Sequence, residues 1–457
     1  MRNTVFMSDA SMTTHAGSEQ RVPRKQVLSW ALWDWATQPF NTVILTFVFT
    51  ALYLTSDDFI KPGMDHDKGI AELTSGLGLA MTIAGIGVAL VAPVLGQIAD
   101  RTGKRKQWLG WMTVLLVVTM LSLYFVEAAP KYFVLGVGII AVGTIINEIA
   151  GVNYNAMLVQ VSSPRTMGRV SGLGWGLGYI GGILALVLVV VLDAMDWFGM
   201  DTSNGMAYRM IAIGCAVWTL LFAWPLLAYV PEAPAAPRGA SGGFLHAYVL
   251  LWRNVRQLWR EARPTLWFLL ASAVYRDGLA GVFAFGAVIA ARAYDFEDTE
   301  VIIFGIAANL VAGVSTIIAG RIDDYVGPRA VIITALGGIV VAGLAVAFLH
   351  GLGAITFWIF GLVLSGMVGP AQSASRSLLA RVSPLGREAE IFGLYATTGR
   401  AASFLSPGAW TVVIAITGAT LWGTLGIIGV VLAGLVLLLF VRTPADRGAA
   451  ARPVLSE

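Results

Sequence analysis

"GQIADRTGKRK", residues 96–106, ends one long apolar run, and "GRIDDYVGPRA", residues 320–330, ends another. Each opens on a glycine (Gly96, Gly320). Each then carries an acid four residues on (Asp100, Asp324), a second glycine (Gly103, Gly327) and a base (Arg105, Arg329). A polar stretch repeated at the same place among apolar runs means that the runs themselves repeat. Internal duplication of this kind is common in secondary transporters.

The surrounding composition fits. Of 457 residues 57% are apolar and 12% charged, against about 25% charged in soluble chains, and mean hydropathy is +0.75. A membrane-spanning helix needs about 20 mostly apolar residues, and twelve such stretches follow one another. The first six are 27–54, 71–99, 107–128, 131–160, 170–192 and 207–230; the second six are 264–291, 299–320, 330–349, 354–381, 391–417 and 419–441. The expected fold is all-α and polytopic, two pseudo-symmetric six-helix bundles over 27–230 and 264–441. A tail (1–26), a linker (231–263) and a second tail (442–457) complete the chain.

Basic residues set the orientation. With the N-terminus inside, 22 of the 30 Lys and Arg fall in inner segments and five in outer ones. The termini are therefore expected in the cytoplasm. The first 26 residues lack the apolar core and small-residue cleavage site of a secretory signal, and a net charge of +3 is too small to suggest nucleic acid. The single cysteine, Cys215, excludes an internal disulfide and a multi-cysteine metal cluster. After the Pro/Ala/Gly-rich "PEAPAAPRGASGG", the stretch "GFLHAYVLLWRNVRQLWREARP" places apolar residues at helical spacing with arginines on other faces. It reads as an amphipathic helix on the inner leaflet.

A second register pairs "SGLGWGLGY" (171–179) with "FGLYATTGR" (392–400). Extended backwards, it pairs Asn155 with Arg376.

The polar stretch at 96–106, with its copy at the equivalent place in the second half, resembles the loop motif of the major facilitator superfamily. Five further stretches resemble the vacuole effluxer family, the autophagy-related amino-acid exporters and their bacterial relatives. They are "SWALWDWATQPFNTVILTFVFT", "RVSGLGWGLGYIGG", "YRDGLAGVFAFG", "FGIAANLVAGVSTIIAGRIDDYVG" and "QSASRSLLARVSP…IFGLYATTGRAASFLSP". The sequence departs from that family at Thr37-Gln38-Pro39-Phe40, usually Asn-Ser, a small residue and an aromatic, and at Arg276, usually Asn. The resemblance implies efflux of a small polar or zwitterionic solute, amino acids first, from a bacterial cell, across its inner membrane. Sugars, peptides, organic anions and lysolipids are the alternative cargoes.

A charge at the bilayer centre costs about 2.5–3.5 kcal/mol on insertion scales, so it faces a partner or a water-filled cavity. Six fall inside predicted helices: Asp34, Glu148, Arg276, Asp277, Arg376 and Arg400. The superfamily lines its cavity with helices 1, 4, 7 and 10, which hold five of the six. At 1.5 Å per residue, Asp34 lies about 11 Å and Arg276 about 18 Å from the inner helix ends. A substrate between the halves meets carboxylates on one side and guanidinium groups on the other. Gln38, Asn41, Asn153, Asn155, Tyr179, Tyr275, Gln372 and Ser373 are the expected hydrogen-bonding groups. Asp34 reads either as a proton-coupling group or as an ion-pair partner of Arg376 or Arg400, and proton coupling rests on Asp34, Glu148 and Asp277.

The repeated polar stretches are expected to gate the cytoplasmic face. Asp100 pairs with Arg101, Lys104 and Arg105, and Asp323 and Asp324 pair with Arg329, between Gly96 and Gly103 and between Gly320 and Gly327. No phosphate-binding G-x-x-x-x-G-K-[ST] motif, nucleophile elbow or helical His pair is present, so neither a primary pump, nor an enzyme, nor a metal or cofactor is expected. A channel, a receptor or an intramembrane enzyme is the less favoured rival, and a single chain is expected to suffice for function.

Overall fold

The computed structural model describes residues 22–199, 202–232 and 244–441. Most of the N-tail, the C-tail and positions 233–243 of the linker lie outside the described residues. Among the described residues there are helices and connections and no strand. In lipid this is the expected economy, because a helix satisfies its own backbone polar groups.

Among the described residues eleven helices are long and apolar enough to cross a membrane: Arg24–Leu54, His66–Thr102, Arg105–Phe125, Pro130–Val161, Met167–Ala194, Ser203–Tyr229, Arg263–Ala293, Glu300–Val326, Pro328–Phe348, Ala354–Val382 and Thr420–Phe440. They correspond to predicted helices one to ten and twelve, and those ordinals are kept below. The eleventh predicted helix, 391–417, is instead two shorter helices, Glu388–Ala402 and Leu405–Thr417. Pro407 signals the break in the sequence: it has no N–H to donate back to Ser403, and its ring crowds that carbonyl. The Asp277 carboxylate then accepts the backbone N–H of Ser406 at 2.5 Å and fixes the new helix start.

The first helix changes pitch after Pro39 and continues as a π-helix over Phe40–Phe47 and Phe49–Leu54. Thr46 and Thr50 donate five residues back, to the carbonyls of Asn41 and Leu45, at 2.7 Å each. Such wide turns are frequent at functional sites. The linker forms a helix over Phe244–Glu261; Tyr248 donates to the Leu90 carbonyl at 3.0 Å, while Trp252 and Trp259 stay exposed.

Outward faces are apolar around the bundle, with Ile83, Leu220, Trp224, Val341 and Ile416 all exposed. In water that surface would aggregate; in lipid it is the solvated face. The two halves meet along two seams, helix 2 on helix 11 and helix 5 on helix 8. Backbones touch there. A Cβ on Gly172 would lie 2.7 Å from the Thr316 carbonyl and 2.8 Å from the Gly320 Cα.

Candidate functional site

The deepest polar cluster centres on Arg376 of helix 10, which is 3% exposed. One Nη donates to Asp34 Oδ2 and to Asn155 Oδ1, each at 3.1 Å. The other donates to the Ser171 carbonyl at 2.6 Å, and Nε donates to the Ser171 hydroxyl at 3.0 Å. Tyr154 donates its hydroxyl to the same Asp34 oxygen at 2.9 Å. Helices 1, 4 and 5 of the first half thus hold one guanidinium of the second. Trp30 and Trp33 stack on Tyr154, with centroids 4.4 and 4.6 Å apart. The guanidinium carbon lies 5.0 Å from the Trp30 ring, a cation–π distance. Gly174 leaves the space: a Cβ there would sit 2.8 Å from the Tyr154 hydroxyl and 2.9 Å from Arg376. The tryptophans beside Asp34 therefore dry and rigidify the latch.

A second charged group is more open. Glu148 of helix 4 pairs with Arg400 of helix 11, and their side chains are 37% and 34% exposed. One residue before Glu148, Asn147 donates to Asn41 of helix 1 at 3.1 Å. One residue before Arg400, Gly399 lets Arg276 come close; a Cβ there would lie 3.1 Å from its Nη1. Arg276 donates to the Tyr395 carbonyl at 3.0 Å and lies 3.7 Å over the Tyr395 ring. Among the described residues no carboxylate lies within ion-pair distance of Arg276. Helix 11 thus meets Arg276 at Gly399 and, one residue on, pairs with Glu148 through Arg400.

At the basic end, Asp100 and Asp324, the equivalent acids of the two repeats, do the same thing in mirrored places. Asp100 accepts the backbone N–H groups of Ala389 and Glu390 at 3.1 and 2.8 Å, at the start of helix 11. Asp324 accepts those of Gly168 and Arg169 at 2.8 and 3.2 Å, at the start of helix 5. Each acid caps a helix of the opposite half. Unpaired N–H groups and the helix dipole favour an anion there by about 0.3–1 kcal/mol, more when partly buried. Arg105 bridges Asp100 and Glu388 at 2.6 and 2.5 Å. Arg169 holds Asp324 at 2.9 Å.

The sequence matches the family described as "Vacuole effluxer Atg22 like" over residues 72–451. The chain belongs to that family. An MFS-type transporter of Bacillus subtilis (strain 168), YxiO, is 25% identical over 421 residues, covering 91% of this chain and 95% of that one. Autophagy-related protein 22 of Cryptococcus neoformans var. neoformans serotype D (strain B-3501A) is 28% identical over 290 residues, 57% of this chain and 50% of that protein. The chain thus spans about half the length of this fungal relative. The fold matches the proton:xylose symporter XylE with TM-score 0.70 at 15% identity, over 92% of this chain and 96% of that one. FucP in its outward conformation gives 0.68 at 13%, over 93% and 99%. This Atg22-like chain is a multi-pass membrane transporter of the major facilitator superfamily, not an enzyme.

The remaining sequence-stated groups of the Atg22-like transporter fall in distinct places. Asp277, beside Arg276 in sequence, points away from it and caps the segment that starts at Leu405. Tyr275 is buried and bonds Ser375 at 2.6 Å inside the second half. Tyr179 of helix 5 stacks on Phe283 of helix 7, with centroids 6.1 Å apart, so it lies between the halves. Ser373 joins the latch, its carbonyl accepting from the Ser171 hydroxyl at 2.8 Å. Asn153 donates within its own helix, to the Ile149 carbonyl, whereas Asn155 reaches Arg376. Gln38 accepts from Thr42 at 3.4 Å, and Gln372 is half-buried on helix 10.

In the gate, Gly96 lies against the Ala389 backbone, and Gly320 against Gly168 and Gly172. Gly103 and Gly327 take φ of +67° and +88°, which favours glycine. Arg101 lies in the last turn of helix 2, whereas Lys104 lies past it at the start of helix 3, and the cation on Asp100 is Arg105. The second repeat departs from expectation. The cation on Asp323 is Arg381, at 3.1 Å, while Arg329 donates to the Leu439 carbonyl at the end of helix 12 at 2.9 Å. Proline at 328 starts helix 9 at once and directs Arg329 elsewhere than its counterpart Arg105. Tyr154, Ser171, Asn147, Glu388 and Arg381 escaped sequence reading. Ser171 and Arg381 lie in stretches already quoted, and only the crossing of helices gives them a role.

Proposed function

We propose that this transporter exports a small zwitterionic solute, amino acids first, from the cytoplasm of a bacterial cell across its inner membrane. The basic end, with both termini, faces the cytoplasm. The two bundles rock about the substrate in alternation, and the arrangement described here has the cytoplasmic side shut.

The observation that carries this reading is the division between the two charged groups. The latch of Asp34, Tyr154, Asn155, Ser171 and Arg376 is buried and internally satisfied. It suits a part that holds the halves together and changes state with them. The open group suits the substrate. Arg276 has no carboxylate to answer its charge among the described residues, and a substrate carboxylate is the anion that fits; Arg guanidinium groups bind carboxylates in bidentate fashion. Glu148, half-exposed beside it, suits the ammonium once Arg400 gives way. The family's effluxer description supports export; the opposed charges support a zwitterion, since a sugar would leave Arg276 without its anion. Proton coupling is assigned to Asp34, whose bond to Arg376 must break when the halves part.

The test is a thermal-shift screen of purified protein against amino acids, dipeptides and sugars, followed by counterflow of the best binder in proteoliposomes. Stabilisation by amino acids with saturable, counterflow-accelerated flux supports the reading. Stabilisation by sugars alone overturns it.

A further inference from the structure

A groove of about 710 Å³ opens at the basic end between helices 1, 5 and 8, away from the central charges. Its wall carries Arg24, Arg165, Arg321 and Arg169, the last already holding Asp324 at 2.9 Å, and none of the lining residues is acidic. On each of the three helices an arginine is followed, one turn deeper, by an apolar residue. The pairs are Arg24 and Leu28, Arg169 and Leu173, and Arg321 and Ile317. Residues four apart share a face and differ in depth by about 6 Å. The groove is therefore layered, with guanidinium groups at the rim and hydrocarbon beneath. Leu28 is 52% exposed, so none of the described residues covers it.

We propose that this groove binds an anionic phospholipid of the cytoplasmic leaflet, its phosphate on the arginines and its acyl chain over Leu28, Leu173 and Ile317. This rests on the cytoplasmic assignment of the basic end made above. A soluble phosphate satisfies the rim and leaves the apolar layer bare. A zwitterionic lipid satisfies the layer and brings its own cation to a wall of four. Basic pockets between membrane helices on the cytoplasmic side bind anionic headgroups by this logic, and planar guanidinium forks suit phosphate. Helices 1 and 5 belong to one half and helix 8 to the other. A ligand that spans them favours the closed basic end, because it binds that state better.

The experiment is a thermal-shift titration of detergent-purified full-length protein with phosphatidylglycerol, phosphatidylcholine, soluble glycerophosphoglycerol and inorganic phosphate. Phosphatidylglycerol is expected to raise Tm by several degrees over phosphatidylcholine, and the two soluble anions to have no such effect. The variant Arg24→Gln/Arg165→Gln/Arg321→Gln is expected to weaken the phosphatidylglycerol effect on the order of tenfold or more in concentration. Equal stabilisation by phosphatidylcholine, or by the soluble anions, overturns the proposal, as does an unchanged titration of the variant. If the variant does not fold, a photoactivatable phosphatidylglycerol on the unaltered protein decides: adducts on peptides holding Leu28, Leu173 or Ile317 support the site, and adducts elsewhere overturn it. These readouts need no substrate, so they are independent of the cargo. Labelling Lys104→Cys in a Cys215→Ser background, in oriented vesicles, reads the sidedness separately.

Discussion

Arg376 of the second half lies 3.1 Å from Asp34 of the first, and both sit below the half-exposed pair of Glu148 and Arg400 in solvent access. Removing one partner of such a buried pair leaves the other uncompensated, at roughly 3–5 kcal/mol. Arg376→Gln is expected to lower the melting temperature strongly. Asp34→Asn/Arg376→Gln is expected to recover part of that loss, because neither charge is then stranded. A double variant that melts no later than Arg376→Gln alone contradicts the pairing.

Asp34 also carries the coupling. Asp34→Asn can still accept from Tyr154 and loses the exchangeable proton, but it leaves Arg376 uncompensated, so it too is expected to melt earlier. Substrate exchange is expected to persist and accumulation driven by a pH gradient to vanish. Both are measured on one proteoliposome preparation. Loss of exchange in a variant that still folds makes Asp34 a structural residue only.

The mirrored caps predict a graded gate. Asp100→Asn and Asp324→Asn each remove a charge from a helix start in the opposite half, worth about 0.3–1 kcal/mol, or roughly a two- to fivefold shift toward the cytoplasm-open state. A cysteine at the inner mouth, in a Cys215→Ser background, is expected to label faster in each. Gly172→Val is expected to do more, because the Thr316 and Gly320 backbones leave its side chain no room when the seam is shut. Unchanged labelling in all three argues against the seam as the gate.

Arg276 and Asp277 are neighbours with different tasks. Arg276→Ala is expected to abolish binding with little change in melting temperature, since its protein partners are one carbonyl and one ring. Asp277→Ala is expected to lower stability by about 1 kcal/mol through the lost cap, and Asp277→Asn, which still accepts from Ser406, to be mild. Thermal melts with and without substrate separate the two.

Helix positions, the duplication and the six intramembrane charges are legible in the sequence because hydropathy and charge placement are local properties. The break in predicted helix 11 is legible too, in Pro407; its anchor is not, because Asp277 lies more than a hundred residues away. The reach of Asp100 and Asp324 is hidden for the same reason. Their nearest bases in sequence suggested local pairs, and the stronger demand came from unpaired N–H groups across the seam. Asn155 and Arg376, equivalent in the two halves by register, prove to be bonded to each other at 3.1 Å. Sequence gives the equivalence but not the contact.

The central claim is that open charges take the substrate while the buried latch couples its movement. Counterflow of a labelled amino acid in proteoliposomes, run side by side on the unaltered protein, Asp34→Asn and Arg276→Ala, tests it most directly. The account predicts saturable counterflow in the first, its persistence in Asp34→Asn, and its loss in Arg276→Ala. Counterflow in Arg276→Ala at the unaltered rate contradicts it.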